Sequence, residues 1–557
     1  MKKLSNKTKF NIIAILCIIL FSAAIAPITL QNDTFYTIPI GEHILENGID
    51  NQDSFSWHNI PYTYPHWGYD VLIYITYAAF GMAGIYASTC ILSAILGVTI
   101  YVVNCKLAKN NVISFLITLI SMYLLKDYIA ARAQLVTFIF FMLEILFIEK
   151  FVETKKIKFA VGLIGISIII ANLHVAVWPF FFILFLPYIG GYIVSIVTDI
   201  VIERKISKAF LQARIKRVSN KAGSAEKQAK LRMALAKLNI KVEKAKHNRE
   251  EAKKKPYKII INKNSNVKWL IVIMIICALT GLLTPLDDTP YTYLLKTMQG
   301  NTTQNINEHL PMTLIEHDEL LCLVIVYIAI LTFTKTKIGL KDLFMIAGLT
   351  YLMLKTRRQS TMFVLIGSVI INKMTYEAIE TYFKKGAEKV VLNELVTKTG
   401  SFVTVAVVLA GSLYFIGQKK DNKFIDEATY PVSACDYIIE NIDYKNSRFY
   451  NEYNYGSYML FRGIPVFIDS RADLYAPEFN TPTDNPEDGK DIFMDFIEVS
   501  GISKYYDSVF DDYKMTHVIC YKKSKLAMLI DNRNDDKYKE IYSDDNFKIY
   551  EINREKI

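Results

Sequence analysis

The chain has 557 residues, 52% of them hydrophobic, with a formal net charge of +10 and 7 cysteines. Soluble domains average about 45–50% apolar residues even when glycine is counted, so this length and composition exclude an ordinary soluble protein and a disordered one. So few cysteines also exclude a disulfide scaffold. Several runs of about 18 or more apolar residues predict a protein that crosses a membrane many times.

The charge is unevenly distributed along the chain. Between Glu203 and Lys268 there are 21 Lys and Arg residues against 5 Glu, a difference of +16. Residues 418–557, called the tail below, hold 19 basic and 27 acidic residues, a difference of −8. The sequence therefore combines one strongly basic segment with an acidic C-terminal tail.

The first predicted span is the apolar run 10–30, which follows four lysines in residues 1–9. Ala24-Ile25-Ala26 resembles a signal-peptidase site, so a cleaved signal peptide is the alternative; the run is long for one, and we favour an uncleaved span. Ten more spans are predicted at about 83–104, 111–125, 135–150, 158–172, 176–200, 268–285, 320–335, 341–355, 360–374 and 401–417. The total is eleven.

Lysine and arginine decide the orientation of these spans, because cytoplasmic loops are enriched in both. With the N-terminus inside, the inner loops contain Lys106, Lys109, Lys150, Lys155, Lys156, Lys158, the basic segment, Lys335, Lys337, Lys341, Lys384, Lys385 and Lys389. We therefore predict a multi-pass protein of the cell membrane with a cytoplasmic N-terminus and an extracytoplasmic C-terminus.

This arrangement divides the chain into four parts. We expect residues 1–202 to form an N-terminal transmembrane module with a large first outer loop, residues 31–81, and residues 203–267 to form a basic cytoplasmic helical insertion. Residues 268–417 are expected to form a second transmembrane module, and the tail a small extracytoplasmic domain. The predicted fold class is a mostly α, polytopic membrane protein of about eleven helices with a small α/β domain.

Local patterns predict the content of the insertion and of the tail. The insertion is rich in Ala, Lys, Glu and Arg, which is typical of a helical hairpin, with a break at 221–224. Its basic residues, within 203–268, are expected to contact anionic membrane lipids, and no nucleic acid is expected because aromatic residues are almost missing. The tail mixes strand-like runs (464–468, 517–521, 548–552) with helix-like runs (435–442, 491–499). The spacing of Cys435 and Cys520 leaves open whether they pair.

Five cations lie at the predicted outer ends of spans, where Lys and Arg are uncommon. They are Arg132, Lys296, Lys355, Arg357 and Arg358. Arginine presents a planar pair of donors that matches a phosphate, so the set predicts a phosphate site at the outer headgroup level, held by Arg132, Lys296, Arg357 and Arg358. The alternative for each residue is snorkelling or a structural ion pair, with Asp127 as a partner for Arg132.

Acidic and histidine residues in the first outer loop are candidates for catalysis. Asp33 follows the first span closely, where a carboxylate can serve as a general base or a metal ligand, and His43 and Asp70 are further candidates. Their spacing matches no zinc pattern, so no metal site is predicted. Asn172 and His174 interrupt the turn between the fifth and sixth spans, and they form either a hydrogen-bonded turn or part of an acceptor pocket.

Three charged residues of the tail, Asp469, Arg471 and Asp473, follow the strand-like run 464–468. Residues i, i+2 and i+4 of an extended strand share one face, so we expect the three charges together. They form either a buried ion-pair brace that docks the tail onto the outer loops, which we favour, or a contact for the acceptor.

Several motifs recur in one known group of proteins. They are Asp33-Thr-Phe35, Gly41-Glu-His-Ile44 with Gly48, Asp53-Ser-Phe-Ser56, Trp67-Gly-Tyr-Asp70, Arg132-Ala-Gln134, Asn172-Leu-His174, Arg358-Gln359, Asn451 with Gly456-Ser-Tyr458, and Phe467-Ile-Asp-Ser-Arg-Ala-Asp-Leu-Tyr475. With this order of spans, the chain resembles the GT-C superfamily of membrane glycosyltransferases, and more closely a bacterial group placed with it. The resemblance runs nearly end to end, except for the basic insertion.

The resemblance implies a membrane glycosyltransferase that moves a sugar from a polyprenyl phosphate or pyrophosphate carrier to an envelope glycan or protein acceptor on the outer face. In that scheme Asp33 activates the acceptor hydroxyl, and Arg132, Arg357 or Arg358 holds the donor phosphate. The alternative is a non-catalytic transporter of lipid-linked glycans, or an envelope assembly protein, since phosphate binding alone also explains the cations. A divalent-cation cofactor stays open, with no clear site for one.

Overall fold

The computed structural model describes residues 4–219, 225–254, 259–300, 302–383, 386–481, 489–533 and 535–553. This part of the chain is mostly helical, as predicted. Within it, five helical segments are long and apolar enough to cross a membrane: Asn6–Ile25, Trp67–Ala108, Val175–Ile202, Arg357–Tyr382 and Lys398–Gln418. Shorter apolar helices lie at Val112–Leu124, Ile157–Leu173 and Val267–Leu282.

The first part of the chain is built from helices joined by short turns. They are α1 (Asn6–Ile25), α2 (Asn32–Asn47), α3 (Trp67–Ala108), α4 (Val112–Leu124), α5 (Ala133–Thr154), α6 (Ile157–Leu173), α7 (Trp178–Ile183) and α8 (Leu186–Ile202). The apolar run 10–30 is longer than α1, which ends at Ile25 because Ala26 precedes Pro27 and adopts an extended conformation (φ −61°, ψ 129°). The first outer loop therefore begins with a helix, α2.

Helix α3 joins two segments that the sequence separates. Residues 70–81, the end of the predicted first outer loop, and the predicted span 83–104 form one helix of 42 residues with a kink at Gly81. Gly81 has φ 62° and ψ −157°, a conformation that is essentially restricted to glycine. The end of the loop is thus fixed in direction relative to the span that follows it.

The basic insertion forms the predicted helical hairpin, with α9 (Lys205–Ser219) packed on α10 (Ala225–Lys253). The break predicted at 221–224 lies outside the described residues. The following helices are α11 (Val267–Leu279), α12 (Thr289–Gln299), α13 (Thr302–Asn305), α14 (Asp318–Phe333), α15 (Leu340–Lys355), α16 (Ser360–Tyr382), α17 (Ala387–Leu395) and α18 (Lys398–Gln418). Two short parallel strands, β1 (Ile259–Ile260) and β2 (Ile338–Gly339), pair at the base of the hairpin.

Buried amides hold three of the apolar helices together. Asn372 of α16 donates to Asn104 of α3 (2.9 Å) and accepts from Asn110, just before α4 (2.8 Å). All three side chains are fully buried. Amides that satisfy one another across helices are a common means of helix association in an apolar environment.

The tail combines helices with a four-stranded sheet. Its helices are α19 (Val432–Asn441), α20 (Tyr453–Phe461), α21 (Pro477–Asn480), α22 (Ile492–Gly501), α23 (Tyr506–Asp512) and α24 (Lys525–Asp531). Its strands are β3 (Phe449–Tyr450), β4 (His517–Tyr521), β5 (Tyr538–Ser543) and β6 (Phe547–Ile552). They lie in the order β3-β4-β6-β5, with β3 parallel to β4 and the other pairs antiparallel.

The strand-like run 464–468 is not a strand, so the prediction that Asp469, Arg471 and Asp473 alternate along one is wrong. Val466 makes an isolated parallel bridge with Ser56, and the side chain of Asn451 accepts from the backbone N–H of Phe467 (2.8 Å) and donates to the carbonyl of Ile468 (2.6 Å). A 3-10 turn then begins at Ala472. Asp473 therefore has different surroundings from Asp469.

The first outer loop and the tail share one hydrophobic core. The ring of Phe35 lies 4.8 Å from that of Tyr430 and 5.2 Å from that of Tyr458, measured between centroids. Cys435 and Cys520 are buried in the same core as free thiols, so they do not pair. A separate core lies among α5, α6, α15 and α16. Packing thus joins segments about 400 residues apart in the chain.

Candidate functional site

An ion-pair cluster formed by Asp33, Arg132 and Glu308 lies where three helical segments meet, and it is called the Arg132 cluster below. Arg132 immediately precedes α5; its Nη2 donates to Oδ2 of Asp33 and its Nη1 to Oε1 of Glu308 (3.1 Å). Asp33 lies in the first turn of α2, where the helix dipole favours a carboxylate. The Arg132 side chain as a whole is a quarter exposed.

Two arginines after α15 differ in their contacts. Arg357 donates to the side-chain oxygen of Asn307 (2.7 Å) and to Glu316 (3.3 Å). The half-buried guanidinium of Arg358 makes neither a hydrogen bond nor an ion pair with any of the residues that the structure describes. Arg358 is therefore a cation that remains available for a ligand, as does the exposed Lys355 at the end of α15, whose described contact is with the ring of Tyr351.

The charge of Arg358 reaches the Arg132 cluster. Burial alone would raise the pKa of Glu308, but the positive charges of Arg132 and Arg358 outweigh burial and hold that pKa below its ordinary value. Burial and the charge of Arg358 likewise lower the pKa of His309, so its imidazole is neutral near pH 7. The two arginines thus act on the same small region.

A second polar group adjoins this region. Nδ1 of His66 lies 3.4 Å from Oδ2 of Asp70, which is fully buried. Nε2 of His66 lies 3.5 Å from the hydroxyl of Tyr36. The His66 ring also lies 5.8 Å from the ring of His174, measured between centroids. Burial raises the pKa of Tyr36, and the negative charges of Asp33 and Asp70 raise it further. Asp70 is therefore held beneath His66 and does not itself face solvent.

Asp473 contacts a different part of the chain, the segment that includes α12. It accepts from the hydroxyls of Tyr293 (2.6 Å), Thr302 (3.3 Å) and Thr297 (3.5 Å). Lys296 of the same helix lies over the ring of Phe479, 5.9 Å from its centroid. Asp473 thus fixes α12 against the tail, and Lys296 is not brought into the Arg132 cluster by any contact that the structure describes.

Asp469 and Arg471 form a buried ion pair with Asp53, called the buried brace below. Arg471 donates to both oxygens of Asp469 (2.9 and 2.6 Å) and to Asp53 of the first outer loop (2.7 Å). Its guanidinium also lies 4.9 Å from the centroid of the Tyr62 ring. All three charged side chains are almost completely buried, so in this arrangement they connect the tail to the loop rather than face solvent.

The other predicted site residues lie apart. The amide of Asn172 donates to the carbonyl of Leu283 (3.1 Å) and so ties the end of α6 to the turn after α11. His43 pairs with Asp50 (2.9 Å) near the far end of α2. His43 and Asp33 are ten residues apart in the same helix, which corresponds to about 15 Å along its axis.

One predicted partner is wrong, and one residue was not predicted. Asp127 pairs with Lys126 (3.3 Å) rather than with Arg132, because it lies in the 3-10 turn before the extended segment that places Arg132. Glu308 has no local signal in the sequence, since a Glu in a loop is unremarkable until folding brings it to a cation. Among the described residues, no three His, Cys, Asp or Glu side chains are arranged to hold a metal ion.

Comparison of the chain with models of known protein families gives no match, and comparison with curated proteins gives none either.

Proposed function

We propose that the chain is a membrane-spanning glycosyltransferase that moves a sugar from a polyprenyl phosphate or pyrophosphate carrier to an envelope glycan or protein acceptor. The observation that carries this proposal is the guanidinium of Arg358, which has no partner among the described residues and lies beside the Arg132 cluster at the end of an apolar helix. A lipid-linked phosphate requires an apolar surface for its chain and a cation at headgroup level. The motifs shared with GT-C proteins support the same reading.

The proposed topology follows from the distribution of Lys and Arg. Eleven spans with a cytoplasmic N-terminus place the Arg132 cluster and the tail outside, together with the buried brace that joins them. The donor then enters from the membrane, and the acceptor from the envelope side. The tail supplies part of the wall, since Asp473 and Arg471 both contact segments that surround the cluster.

Three charged groups, Asp33, Arg358 and Arg132, have a definite part in the proposed reaction. The acceptor oxygen attacks the anomeric carbon while Oδ1 of Asp33, which accepts no hydrogen bond from the described residues, takes its proton. The bond between the anomeric carbon and the phosphate oxygen breaks, and its electron pair remains on the phosphate. Arg358, assisted by Arg132, stabilises that negative charge, which is usually the largest contribution such a site makes.

A second function is favoured by one observation. Asp33 and Glu308 both pair with Arg132, as expected of a structural cluster that needs no proton acceptor. A transporter of lipid-linked glycans, or an assembly protein that binds them, would use Arg358 in the same way without transferring the sugar. The two functions differ in whether the Asp33 carboxylate is required.

Replacement of Asp33 by Asn distinguishes sugar transfer from transport or binding of the lipid-linked glycan. In liposomes containing a radiolabelled polyprenyl phosphate sugar, we expect Asp33→Asn to lower turnover by about 10²–10⁴-fold, the usual contribution of a general base, with little change in donor affinity. Asp127→Asn is the matched control, because that carboxylate is exposed and pairs with Lys126. Flipping of the labelled lipid without transfer by the wild type, or normal transfer by folded Asp33→Asn, would contradict the proposal.

A further inference from the structure

The hairpin formed by α9 and α10 contains an open groove of about 490 Å³, within the usual range for sites that bind small molecules. Its floor is apolar and includes Phe210, Leu211 and Leu238. Its border is basic and includes Lys237 and Lys241. A ligand that fills this groove must therefore be both apolar and anionic.

The base of the hairpin is fixed to the end of an apolar helix. Asp199, in the last turn of α8, accepts from Arg249 of α10 (3.0 Å) and from Lys263 (3.0 Å). Arg204, in the short turn between α8 and α9, lines the groove itself. The groove thus begins where a segment that is long and apolar enough to cross a membrane ends.

The hairpin exposes more apolar surface than a charged helix pair in water requires. Ile206 is 75% exposed, Phe210 61% and Ile240 70%. These side chains belong to a segment with a charge of +16. Basic residues at a membrane surface attract anionic headgroups, and the exposed apolar side chains beside them can contact acyl chains.

We propose that the groove binds one anionic phospholipid of the adjoining leaflet, with an acyl chain on the apolar floor and the phosphate on Lys237, Lys241 and Arg204. A nucleic acid would leave the apolar floor unfilled, and an acidic peptide would not explain why the groove opens at the end of a span. This site goes beyond the proposed sugar transfer and does not depend on it. With the predicted orientation, the leaflet is the cytoplasmic one.

Quenching of a tryptophan by a brominated acyl chain tests the proposal directly. The full chain with Phe210→Trp, in a neutral detergent, is titrated with phosphatidylglycerol or phosphatidylcholine brominated along the chain, and the signal of the wild type is subtracted. We expect saturable quenching by phosphatidylglycerol alone. Equal quenching by both lipids would overturn the proposal, because it would mean that the acyl chain contacts the groove as a detergent does and that the basic border does not select the headgroup.

A pair of double variants separates a site from diffuse charge attraction. The first double variant, Lys237→Gln with Lys241→Gln, should weaken phosphatidylglycerol binding by about 30-fold. The second, Lys227→Gln with Lys244→Gln, removes the same charge from exposed positions outside the groove. It should leave most of the affinity. Equal losses in both pairs would overturn the proposal. Displacement of the lipid by glycerol phosphate alone would show that the groove binds only the headgroup. Tight binding of an acidic amphipathic peptide in place of the lipid would assign the groove to a protein partner. Either result would also overturn the proposal.

Discussion

Arg358 is expected to contribute directly to donor binding. Arg358→Ala should weaken donor binding by about 10–100-fold, the range for one charge-assisted hydrogen bond, and Arg358→Lys should recover only part of it, because an ammonium cannot replace a two-pronged donor. Binding of a fluorescent polyprenyl phosphate measures both. Lys126→Ala is the control cation, and unchanged affinity in folded Arg358→Ala would move the phosphate site elsewhere.

Arg471 is important for stability because its partners are buried. Arg471→Ala leaves the carboxylates of Asp53 and Asp469 without a cation, which should lower the free energy of unfolding by about 3–5 kcal/mol. Arg462→Ala is the matched control, since its partner Asp436 is half exposed and such pairs contribute at most about 1 kcal/mol. Thermal unfolding in detergent measures both variants. Similar losses would mean that the brace is not the main connection between loop and tail.

Among the helices, α3 depends on one backbone conformation. The position of a Cβ atom on Gly81 is open, so Gly81→Ala should act through backbone strain alone and destabilise the protein by about 1–3 kcal/mol. Gly165→Ala, also with open space around it but inside the regular helix α6, should instead be neutral or stabilising by up to about 1 kcal/mol. A melting temperature for each variant tests the pair, and an unaffected Gly81→Ala would show that the kink straightens freely.

The contact between loop and tail should respond to pH through His58. Burial lowers the pKa of His58 to about 4, although the carbonyl of Phe467 (2.8 Å) favours the proton. The unfolded chain, with a pKa near 6.5, therefore binds more protons between pH 6.5 and 4, so stability falls by about 3 kcal/mol as the pH drops through that window. Unfolding of the wild type and His58→Gln at pH 7 and 4.5 measures it.

Glu452 changes the stability with pH in the direction opposite to His58, so the comparison with His58→Gln is necessary. Burial raises the pKa of Glu452 to about 7, so the folded chain binds its proton first and this group stabilises the fold as the pH falls from 7 to about 4.5. The pH dependence of the wild type alone is therefore a difference of two effects. Equal pH dependence in wild type and His58→Gln would contradict the assignment to His58.

Structure that depends on residues close together in the chain could be predicted from the sequence, whereas structure that depends on distant contacts could not. The helical hairpin at 203–267 and the strands at 517–521 and 548–552 follow from local patterns, and the structure has both. The run 464–468 has the same apolar, β-branched character as a strand, but it forms an isolated bridge with Ser56 rather than a ladder, and Asn451 bonds the backbone of Phe467 and Ile468. Propensity describes what a segment can form, whereas the partner of its hydrogen bonds decides what it does form.

The sequence by itself determined that the chain is mostly helical, that several helices can cross a membrane and that charge is concentrated in one hairpin. These properties depend on residues close together in the chain, through hydrophobic periodicity and composition. Only the tertiary structure decided that Arg132 pairs with Asp33 and Glu308, 99 and 176 residues away, and that Arg471 reaches Asp53, 418 residues away. A buried charge takes whichever opposite charge folding brings to it, because burial without a partner costs more than either residue's local preference can offset.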